Sequence, residues 1–402
     1  DIDLHVKSRL LIPPLAVYVH LPWCVRKCPY CDFNSHAIEG SVPEKRYADA
    51  LLADLQTQAA RIAGRTVRSI FFGGGTPSLF SAETIGRVLA GIRGALEVAA
   101  DAEITLEANP GTVERGRFAE YAAAGVNRIS LGGQSFNPRH LARLGRIHSA
   151  EETRTAAAEL HAAGIDNFNI DLMYGLPEQT LAESLADIEA AIELAPAHLS
   201  HYQLTLEPGT VFFHRPPPLP DDDASWDMQL GCQETLAAHG FDQYEVSAYA
   251  RDGRRCAHNL NYWQFGDYLG IGAGAHGKIT ELPDRVSRTA RTRQPRQYLE
   301  AMERAAAPPD ARPVAPGDMP FEFMMNALRL LDGFAEEAFE DRTGIDFETV
   351  KPTVLAAAER GTLEPTRSPG WRPTPLGLRF LNDVIVSFLP PAAVLAQAAN
   401  PL

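Results

Sequence analysis

The chain has little cysteine, no excess of positive charge and no long hydrophobic run. Only five of its 402 residues are cysteines, and 51 acidic residues outnumber 37 lysines and arginines, for a formal net charge of -14. A broad nucleic-acid interface needs clustered basic residues, so this balance argues against DNA or RNA as a partner. No apolar segment approaches the roughly 20 residues that a membrane-spanning helix needs.

The early apolar stretch at positions 10–21 lacks the features of a secretory signal. It contains two prolines and a histidine, and it has neither a basic start nor a small-residue cleavage pattern. We therefore expect a cytoplasmic protein in which thiols stay reduced. In that compartment, clustered cysteines indicate metal binding or catalysis rather than disulfides.

Three of the five cysteines stand together in "CVRKCPYC", with the spacing C-x3-C-x2-C at Cys24, Cys28 and Cys31. A structural zinc site has four ligands, usually in two separated pairs, and no second pair follows at a suitable spacing. His20 or His36 would complete a Cys3His zinc site, so zinc remains an alternative. A [4Fe–4S] cluster ordinarily takes four cysteines, so three leave one iron open, and an open position admits substrate or cofactor.

Short β-rich runs alternate with alanine-rich amphipathic stretches over the first half of the chain. Such alternation predicts right-handed βαβ units and a parallel sheet. The fold class is therefore α/β, either a partial or full TIM-type (βα) barrel or an open doubly wound sheet. The predicted strands are 16–21, 69–74, 103–109, 127–134, 167–175 and 198–207, and the predicted helices are 44–62, 82–96, 115–125 and 150–164.

The alternation breaks after position 208, and the rest of the chain divides into further segments. Proline and alanine are frequent in 307–320, which resembles a linker, and a helix, a hairpin around 368–370 and another helix follow it. We expect a small α+β domain of winged-helix type at the end of the chain. The predicted segments are a (βα)6 core at 1–210, an extension at 211–306, the linker at 307–320 and the C-terminal domain at 321–402.

Polar residues and glycines stand where the predicted strands end. "GGGTPS" (73–78) follows the second strand, Glu107 and Gln134 end the third and fourth, Arg146 follows shortly after, and Asp171 lies in the fifth. Each alone is typical of a turn or a solvated surface. The carboxyl ends of barrel strands converge on one cavity, so we expect these residues to lie together beside the cysteines.

The cysteine spacing, with Tyr30 before the third cysteine, resembles that of the radical S-adenosylmethionine (SAM) superfamily. The resemblance implies a radical SAM-type barrel in which Cys24, Cys28 and Cys31 hold a [4Fe–4S] cluster and SAM chelates the open iron. The strand-end stretches resemble one branch, the oxygen-independent coproporphyrinogen III oxidases and HemW-type heme chaperones, over nearly the whole chain. This implies SAM contacts at Tyr18, Tyr30, Gly74, Gly75, Thr76, Glu107, Gln134, Arg146 and Asp171.

Two functions compete within this branch. An oxidase converts porphyrinogen propionates to vinyl groups, whereas a chaperone binds heme and delivers it to apo-hemoproteins such as respiratory enzymes. The oxidases carry a further cysteine two residues after the third ligand, where this chain has Phe33, and a longer segment before the cluster than the 23 residues here. We therefore predict a heme chaperone, with the oxidase as the alternative; an RNA-modifying enzyme is disfavoured by the acidity.

The stretch "HNLNYW" (258–263) matches the H-N-x-x-Y-W motif of the HemW-type proteins. His258 offers an imidazole to heme iron, and Tyr262 and Trp263 offer flat faces to a macrocycle. The alternative for His258 is a hydrogen-bonded histidine beside a packed aromatic pair. Cys256 is expected to be a buried thiol rather than a heme ligand, and His276 is a weaker heme candidate.

The resemblance also implies partners and a location. They are heme, the apo-hemoproteins of respiration, a second copy of the chain in a homodimer, and the inner face of the membrane through peripheral association. One residue departs from the usual pattern, because Gly133 stands where the branch commonly has valine. We expect this glycine to loosen its strand and to leave space beside the SAM pocket.

Overall fold

The computed structural model describes residues 10–111 and 116–390. The chain alternates strands and helices from its start, as the hydrophobic pattern predicts. The strands are β1 (Leu15–Leu21), β2 (Trp23–Cys24), β3 (His36–Ala37), β4 (Thr66–Gly74), β5 (Glu97–Ala108), β6 (Arg128–Gln134), β7 (Phe168–Tyr174), β8 (His198–Gln203), β9 (Asp242–Glu245), β10 (Ala248–Ala250), β11 (Asp267–Ile271), β12 (His276–Glu281), β13 (Arg285–Ala290), β14 (Asp310–Pro313), β15 (Phe334–Ala335), β16 (Leu363–Pro365) and β17 (Gly370–Pro373).

The helices between them are begun and ended by local signals. Ser149 and Glu152 form a capping box at the start of α5, and Gly125 ends α3 in the left-handed conformation. The helices are α1 (Glu44–Ala59), α2 (Ala82–Ala95), α3 (Phe118–Ala124), α4 (Pro138–Arg143), α5 (Ala150–Ala162), α6 (Leu181–Glu193), α7 (Val211–His214), α8 (Asp222–Ala238), α9 (Ala257–Trp263), α10 (Pro295–Ala305), α11 (Met319–Ala327), α12 (Glu336–Thr343), α13 (Lys351–Glu359), α14 (Pro375–Arg379) and α15 (Leu381–Val386).

Twelve strands form one sheet in the order β14-β13-β12-β11-β1-β4-β5-β6-β7-β8-β10-β9. The seven strands from β11 to β8 run parallel, while β12–β14 and β10–β9 extend the two sides in antiparallel fashion. Strands β14 and β9 remain the two edges, so the sheet does not close within the described residues. The predicted α/β class is confirmed, and the barrel takes its partial form.

The two faces of the parallel strands differ in composition. On the outer face, Val17, Leu106 and Ile170 belong to one large core with residues such as Leu89 of α2 and Leu160 of α5. On the inner face, the alternate positions carry polar and aromatic side chains, and α9 packs there against β4 and β1. Because side chains alternate along a strand, one run of residues supplies both surfaces.

The C-terminal part has a core of its own, built around Phe323, Phe334, Phe339 and Phe347. Its three-stranded sheet, in the order β15-β17-β16, includes the predicted hairpin around 368–370, and α14 follows. The predicted linker 307–320 contains β14, which pairs with β13, and the first residues of α11. Within the described part of the chain, no helix is long and apolar enough to cross a membrane.

Candidate cofactor site and the cavity beside it

The three clustered cysteines lie immediately after β1, at the carboxyl ends of the parallel strands. Cys24 ends β2, and the loop between β2 and β3 carries Cys28 and Cys31, with the Cys31 amide donating to the Cys28 carbonyl at 3.2 Å. All three are half-buried free thiols. Burial raises the pKa of Cys24 and of Cys31, so each sulfur needs a positive partner to exist as a thiolate.

Two donors from outside the cysteine loop reach these sulfurs. The Thr76 hydroxyl donates to Cys24 Sγ at 3.4 Å, and Arg146 Nη1 lies 3.8 Å from Cys28 Sγ. Hydrogen bonds from donors of this kind stabilise thiolates bound to a metal and tune its properties. The cysteine loop is therefore joined by side-chain contacts to the segments that follow β4 and α4.

The three cysteines share one cavity. Across residues 10–111 and 116–390, no three His, Cys, Asp or Glu side chains converge so as to hold one metal ion. Cys24, Cys28 and Cys31 nevertheless line one cavity, which we call the cysteine cavity. In a [4Fe–4S] cluster each thiolate bonds a different iron, so separated sulfurs around a shared space fit that group.

The strand-end residues predicted from the sequence meet in this same cavity. Eight of the nine line it, and the ninth, Tyr18, lines a neighbouring cavity that shares Gly74 and Glu107 with it. Sequence reasoning missed Asn109, Ser130 and Tyr202, which also line it. Ser130 lies on the inner face of β6 and Tyr202 at the end of β8. The alternation of inward and outward side chains along each strand would have predicted both positions. The eight are Tyr30, Gly74, Gly75, Thr76, Glu107, Gln134, Arg146 and Asp171.

The glycines after β4 allow the chain to pass close to the cysteine loop. Gly74 has φ +112°, and a Cβ atom there would lie 2.3 Å from the His20 ring; a Cβ atom on Gly75 would lie 2.5 Å from the Trp23 carbonyl oxygen. The Gly75 and Thr76 amides donate to Leu21 and Trp23 carbonyls. These amides are therefore used to join β4 to β1, and not to bind a ligand.

Two carboxylates at the cavity wall form no ion pair with a lysine or arginine of the described residues. Burial raises the pKa of Glu107 to about 8, the Asp171 charge adds to the rise, and the Gly74 amide opposes it with a hydrogen bond of 3.0 Å. Burial also raises the pKa of Asp171, against hydrogen bonds from Asn169, Ser200 and Ser130 and against the nearby charge of Arg128. No lysine or arginine in the described residues forms an ion pair with either group, so the wall fits a ligand that brings positive charge.

Arg146 and Gln134 supply the remaining polar groups of the wall. Arg146 Nη2 donates to the Gly132 carbonyl at 2.7 Å, and its Nε has no hydrogen-bond partner in the described part of the chain. Gln134 has φ +67°, a conformation that is strained for a residue other than glycine, and its side-chain oxygen accepts a bond from Tyr202 at 2.7 Å. Strain of this kind typically marks a functional position.

The expectation that Gly133 leaves space beside the SAM pocket is wrong. A Cβ atom at Gly133 would lie 3.2 Å from Ile170 Cγ2 and 3.4 Å from Thr153 Cγ2, both on the outer face. Gly132 is the glycine that faces the cavity, where a Cβ atom would lie 3.2 Å from Asn109 Oδ1. Gly133 continues the outward alternation of Ile129 and Leu131, both of which lie in the large core.

The "HNLNYW" stretch forms α9 and divides its three predicted heme residues among different surroundings. His258 is 1% exposed, its Nδ1 lies 3.0 Å from Ser69 Oγ, and its Nε2 lies 3.1 Å from the Tyr262 hydroxyl. Burial lowers the pKa of His258 to about 3. Both ring nitrogens are thus engaged within the protein, which supports the hydrogen-bonded alternative. Tyr262 lines the cavity next to the cysteines, whereas Trp263 packs under the Arg329 guanidinium.

The two cysteines outside the cluster are buried thiols, as expected. Cys256 Sγ donates to Glu103 at 3.4 Å, and burial raises the pKa of Cys256 to about 12. Cys232 lies 3.2 Å from Ser184 Oγ in the core between α6 and α8, with its pKa raised to about 11 by burial. Neither is set up as a reactive thiolate.

Comparison with known proteins agrees with this architecture. Residues 18–207 match the radical SAM superfamily, and residues 314–380 match the HemN C-terminal domain. The coproporphyrinogen III oxidase HemN from Escherichia coli superposes with a TM-score of 0.78 over 94% of this chain and 90% of that one, at 22% sequence identity. That likeness is one of fold.

Sequence relatives are much closer than this solved structure. The heme chaperone HemW of Escherichia coli K12 is 50% identical over 378 residues, which is 94% of this chain and 99% of the relative. The heme chaperone HemW of Haemophilus influenzae is 49% identical over 382 residues, which is 94% of this chain and 98% of the relative. With half of its residues shared over nearly the full length, the chain belongs to the HemW family of heme chaperones, a branch of the radical SAM superfamily.

Proposed function

We propose that this protein is a heme chaperone that holds a [4Fe–4S] cluster and SAM, binds heme, and delivers it to apo-hemoproteins such as respiratory enzymes. The observation that carries the proposal is the 50% identity to a heme chaperone across 94% of the chain. The oxidase alternative is not favoured, because the oxidase HemN shares the fold at only 22% identity.

In this proposal, Cys24, Cys28 and Cys31 hold the cluster. A bound [4Fe–4S] cluster with three protein ligands supplies an open iron and an electron. The Thr76 hydroxyl and the Arg146 guanidinium, at 3.4 and 3.8 Å from two of the sulfurs, stabilise their negative charge. The cysteine cavity then surrounds the open iron with protein groups and limits the access of water.

The nine residues that the resemblance implies as SAM contacts are proposed as the SAM site. Glu107 and Asp171 complement the positive charge that SAM carries. This accounts for two carboxylates at one wall that form no ion pair within the described residues. Arg146 has a guanidinium nitrogen without a partner and suits the SAM carboxylate. Tyr18 reaches the site from the neighbouring cavity.

The test of the proposal is anaerobic reconstitution followed by two titrations. The reconstituted protein is expected to contain close to the roughly four irons of one cubane per chain, to bind SAM, and to give a Soret band with hemin. Incubation with coproporphyrinogen III, SAM and a reductant is expected to yield no protoporphyrinogen. Absence of heme binding, or formation of protoporphyrinogen, would overturn the proposal.

The acceptors, the assembly and the location extend the same proposal. We expect heme to move from the loaded protein to an apo-hemoprotein of the respiratory chain, with a matching shift in the Soret band. We expect a homodimer in size-exclusion chromatography with light scattering, and peripheral binding to vesicles made of inner-membrane lipids. An unchanged Soret band after mixing with the apo-hemoprotein would remove delivery from the proposal.

A further inference from the structure

A second cavity of about 490 Å³ opens beside the cysteine cavity, and we call it the tyrosine cavity. It lies between the inner-face side chains of β1 and β11, the cysteine loop and α9. It shares Gly74 and Glu107 with the cysteine cavity. Its volume lies within the about 300–1,000 Å³ that small-molecule and cofactor pockets occupy. Tyr18, Gly74, Glu107 and Tyr262 in this cavity already have predicted roles, and His276 is the weaker heme candidate of the sequence.

The walls of the tyrosine cavity are aromatic. Tyr262 and Tyr268 pack edge to face, with ring centroids 4.4 Å apart, and both are only half-buried. Phe33, on the cysteine loop, is 61% exposed and borders both cavities. An exposed phenylalanine next to half-buried tyrosines provides flat apolar surface for a planar ligand.

His276 brings an available imidazole to this cavity. It begins β12, is exposed, and has no hydrogen bond from its ring to any described residue. His20, which lines the same cavity, differs because its Nδ1 and Nε2 lie 3.1 and 2.9 Å from Tyr18 and Asn34 oxygens. Partial desolvation and the nearby charges of Arg293 and Arg288 lower the pKa of His276, so the ring is neutral at pH 7, the form that binds a metal.

Arg293 adds a positive charge at the rim. Its side chain is exposed and forms no ion pair within the described residues, whereas Arg288 is already paired with Glu322 and bonded to Tyr268. The segments that carry His276 and Arg293 are held together by Asn34, whose amide donates to the Ala273 and Arg293 carbonyls at 2.9 Å each. The two segments are thereby held against the cysteine loop.

We propose that the tyrosine cavity is the heme site of this protein, with His276 as an axial ligand of the iron and Arg293 as the partner of a propionate. This inference rests on the proposed heme-binding function and adds a location to it. It also gives the "HNLNYW" stretch a different role, in which His258 holds the Tyr262 hydroxyl at 3.1 Å and so positions a wall of the cavity.

The test is a hemin titration of the cluster-loaded protein without oxygen, read as difference spectra against the same protein without hemin. Removal of an axial ligand with His276→Ala is expected to weaken hemin binding about tenfold or more and to shift the Soret band. Added imidazole is expected to restore the band position. The matched control is His239→Ala, since His239 is an exposed histidine at the end of α8 that does not line the cavity.

A second variant tests the location of the heme site independently of its axial ligand. Wild-type protein is expected to bind hemin more tightly than its dimethyl ester, and Arg293→Ala is expected to remove that preference, about threefold to tenfold for one charge-assisted bond. If both variants bind hemin as the wild type does, the location is wrong while the proposed function stands. If the wild type itself gives no Soret band with hemin, the proposed function fails.

Discussion

The outer and inner faces of the parallel sheet are made by alternate residues of the same strands, yet the two faces have different roles. On β1, Val17 and Val19 are fully buried in the large core, while Tyr18 between them reaches the tyrosine cavity. On β5, Leu106 is fully buried in the core, while Glu107 faces both cavities. The outer face stabilises the fold, and the inner face carries the chemistry.

The inner face lowers stability where it carries charge. Glu107 and Asp171 have raised pKa values, and burial lowers the pKa of His198 well below its ordinary value. Arg128 lies among these groups, 4.0 Å from Glu103, and is itself buried. Charged groups kept from water without a full set of partners are destabilising, so the outer face must offset them.

The strongest test of this division compares a cysteine of the cofactor site with a cysteine of the outer-face core. Cys24→Ala is expected to abolish cluster assembly, because two remaining thiolates cannot hold the cubane in an open site. Since Cys24 is half-buried and ends the two-residue strand β2 outside the main sheet, the fold should persist. The measurement is iron and sulfide content after anaerobic reconstitution, with circular dichroism for the fold.

Cys232→Ala is the control for that experiment, because Cys232 lies in the outer-face core. It is expected to keep the full iron content and to lower the free energy of unfolding instead. A normal iron content in the Cys24 variant would show that the cluster, if present, is held elsewhere.

The next test uses neighbouring phenylalanines on β4. Phe72 is fully buried on the outer face, so Phe72→Ala is expected to lower the free energy of unfolding by about 3–5 kcal/mol. Phe71 is half-buried on the inner face, where it stacks on His258 at 5.0 Å, so Phe71→Ala should lower it by less. Urea unfolding measures both; equal losses would mean that the inner face contributes as much to stability as the outer.

The outer face and the strand ends were the parts of the molecule that sequence could predict. Apolar alternation predicted the first residues of β1 and β6–β8 to within a few positions, because this pattern directly reflects burial on one face. It missed the first half of β5, Glu97–Ala102, because the segment "EVAADA" is mostly exposed or half-buried. The cysteines and Glu107 could be placed in one site because parallel strands end together.

What could not be predicted depends on contacts between distant segments. The sequence shows His258 in a motif, but not that Ser69, on a strand 189 positions away, meets its ring. Nor does it show that the β6–β7 pairing shifts register between Leu131 and Gln134. Apolar periodicity carries no information about hydrogen-bond partners or about bulges. The outward direction of Gly133, by contrast, follows from the alternation of Ile129 and Leu131 and could have been predicted.

A more gradual effect is expected from pH, through Glu107 on the inner face. Its pKa is about 8 in the folded protein against an ordinary 4.5, so the folded state holds a proton that the unfolded state has released between these values. The free energy of unfolding of the SAM-free protein should therefore fall as pH rises from 4.5 towards 8, by at most about 1.4 kcal/mol per unit.

Glu107→Gln cannot ionise and should remove that contribution to the slope, which urea unfolding at several pH values would measure. SAM brings positive charge and should favour the carboxylate, so SAM affinity of the wild type should rise with pH up to about 8. The variant should bind SAM weakly with a flatter pH profile. An unchanged slope and affinity in Glu107→Gln would show that this carboxylate does not face the cofactor.

The smallest effect separates the two faces at adjacent glycines of β6. Gly133→Ala places a methyl group 3.2 Å from Ile170 Cγ2 on the outer face, so the free energy of unfolding should change by no more than about 1 kcal/mol while SAM affinity stays the same. Gly132→Ala places it 3.2 Å from Gln134 Nε2 and 3.3 Å from Arg146 Nη2, so SAM affinity should fall several-fold with little change in stability. Calorimetric titration with SAM and urea unfolding measure the pair. A weaker SAM affinity in the Gly133 variant than in the Gly132 variant would reverse the assignment of faces and, with it, the argument that alternate residues divide stability from chemistry.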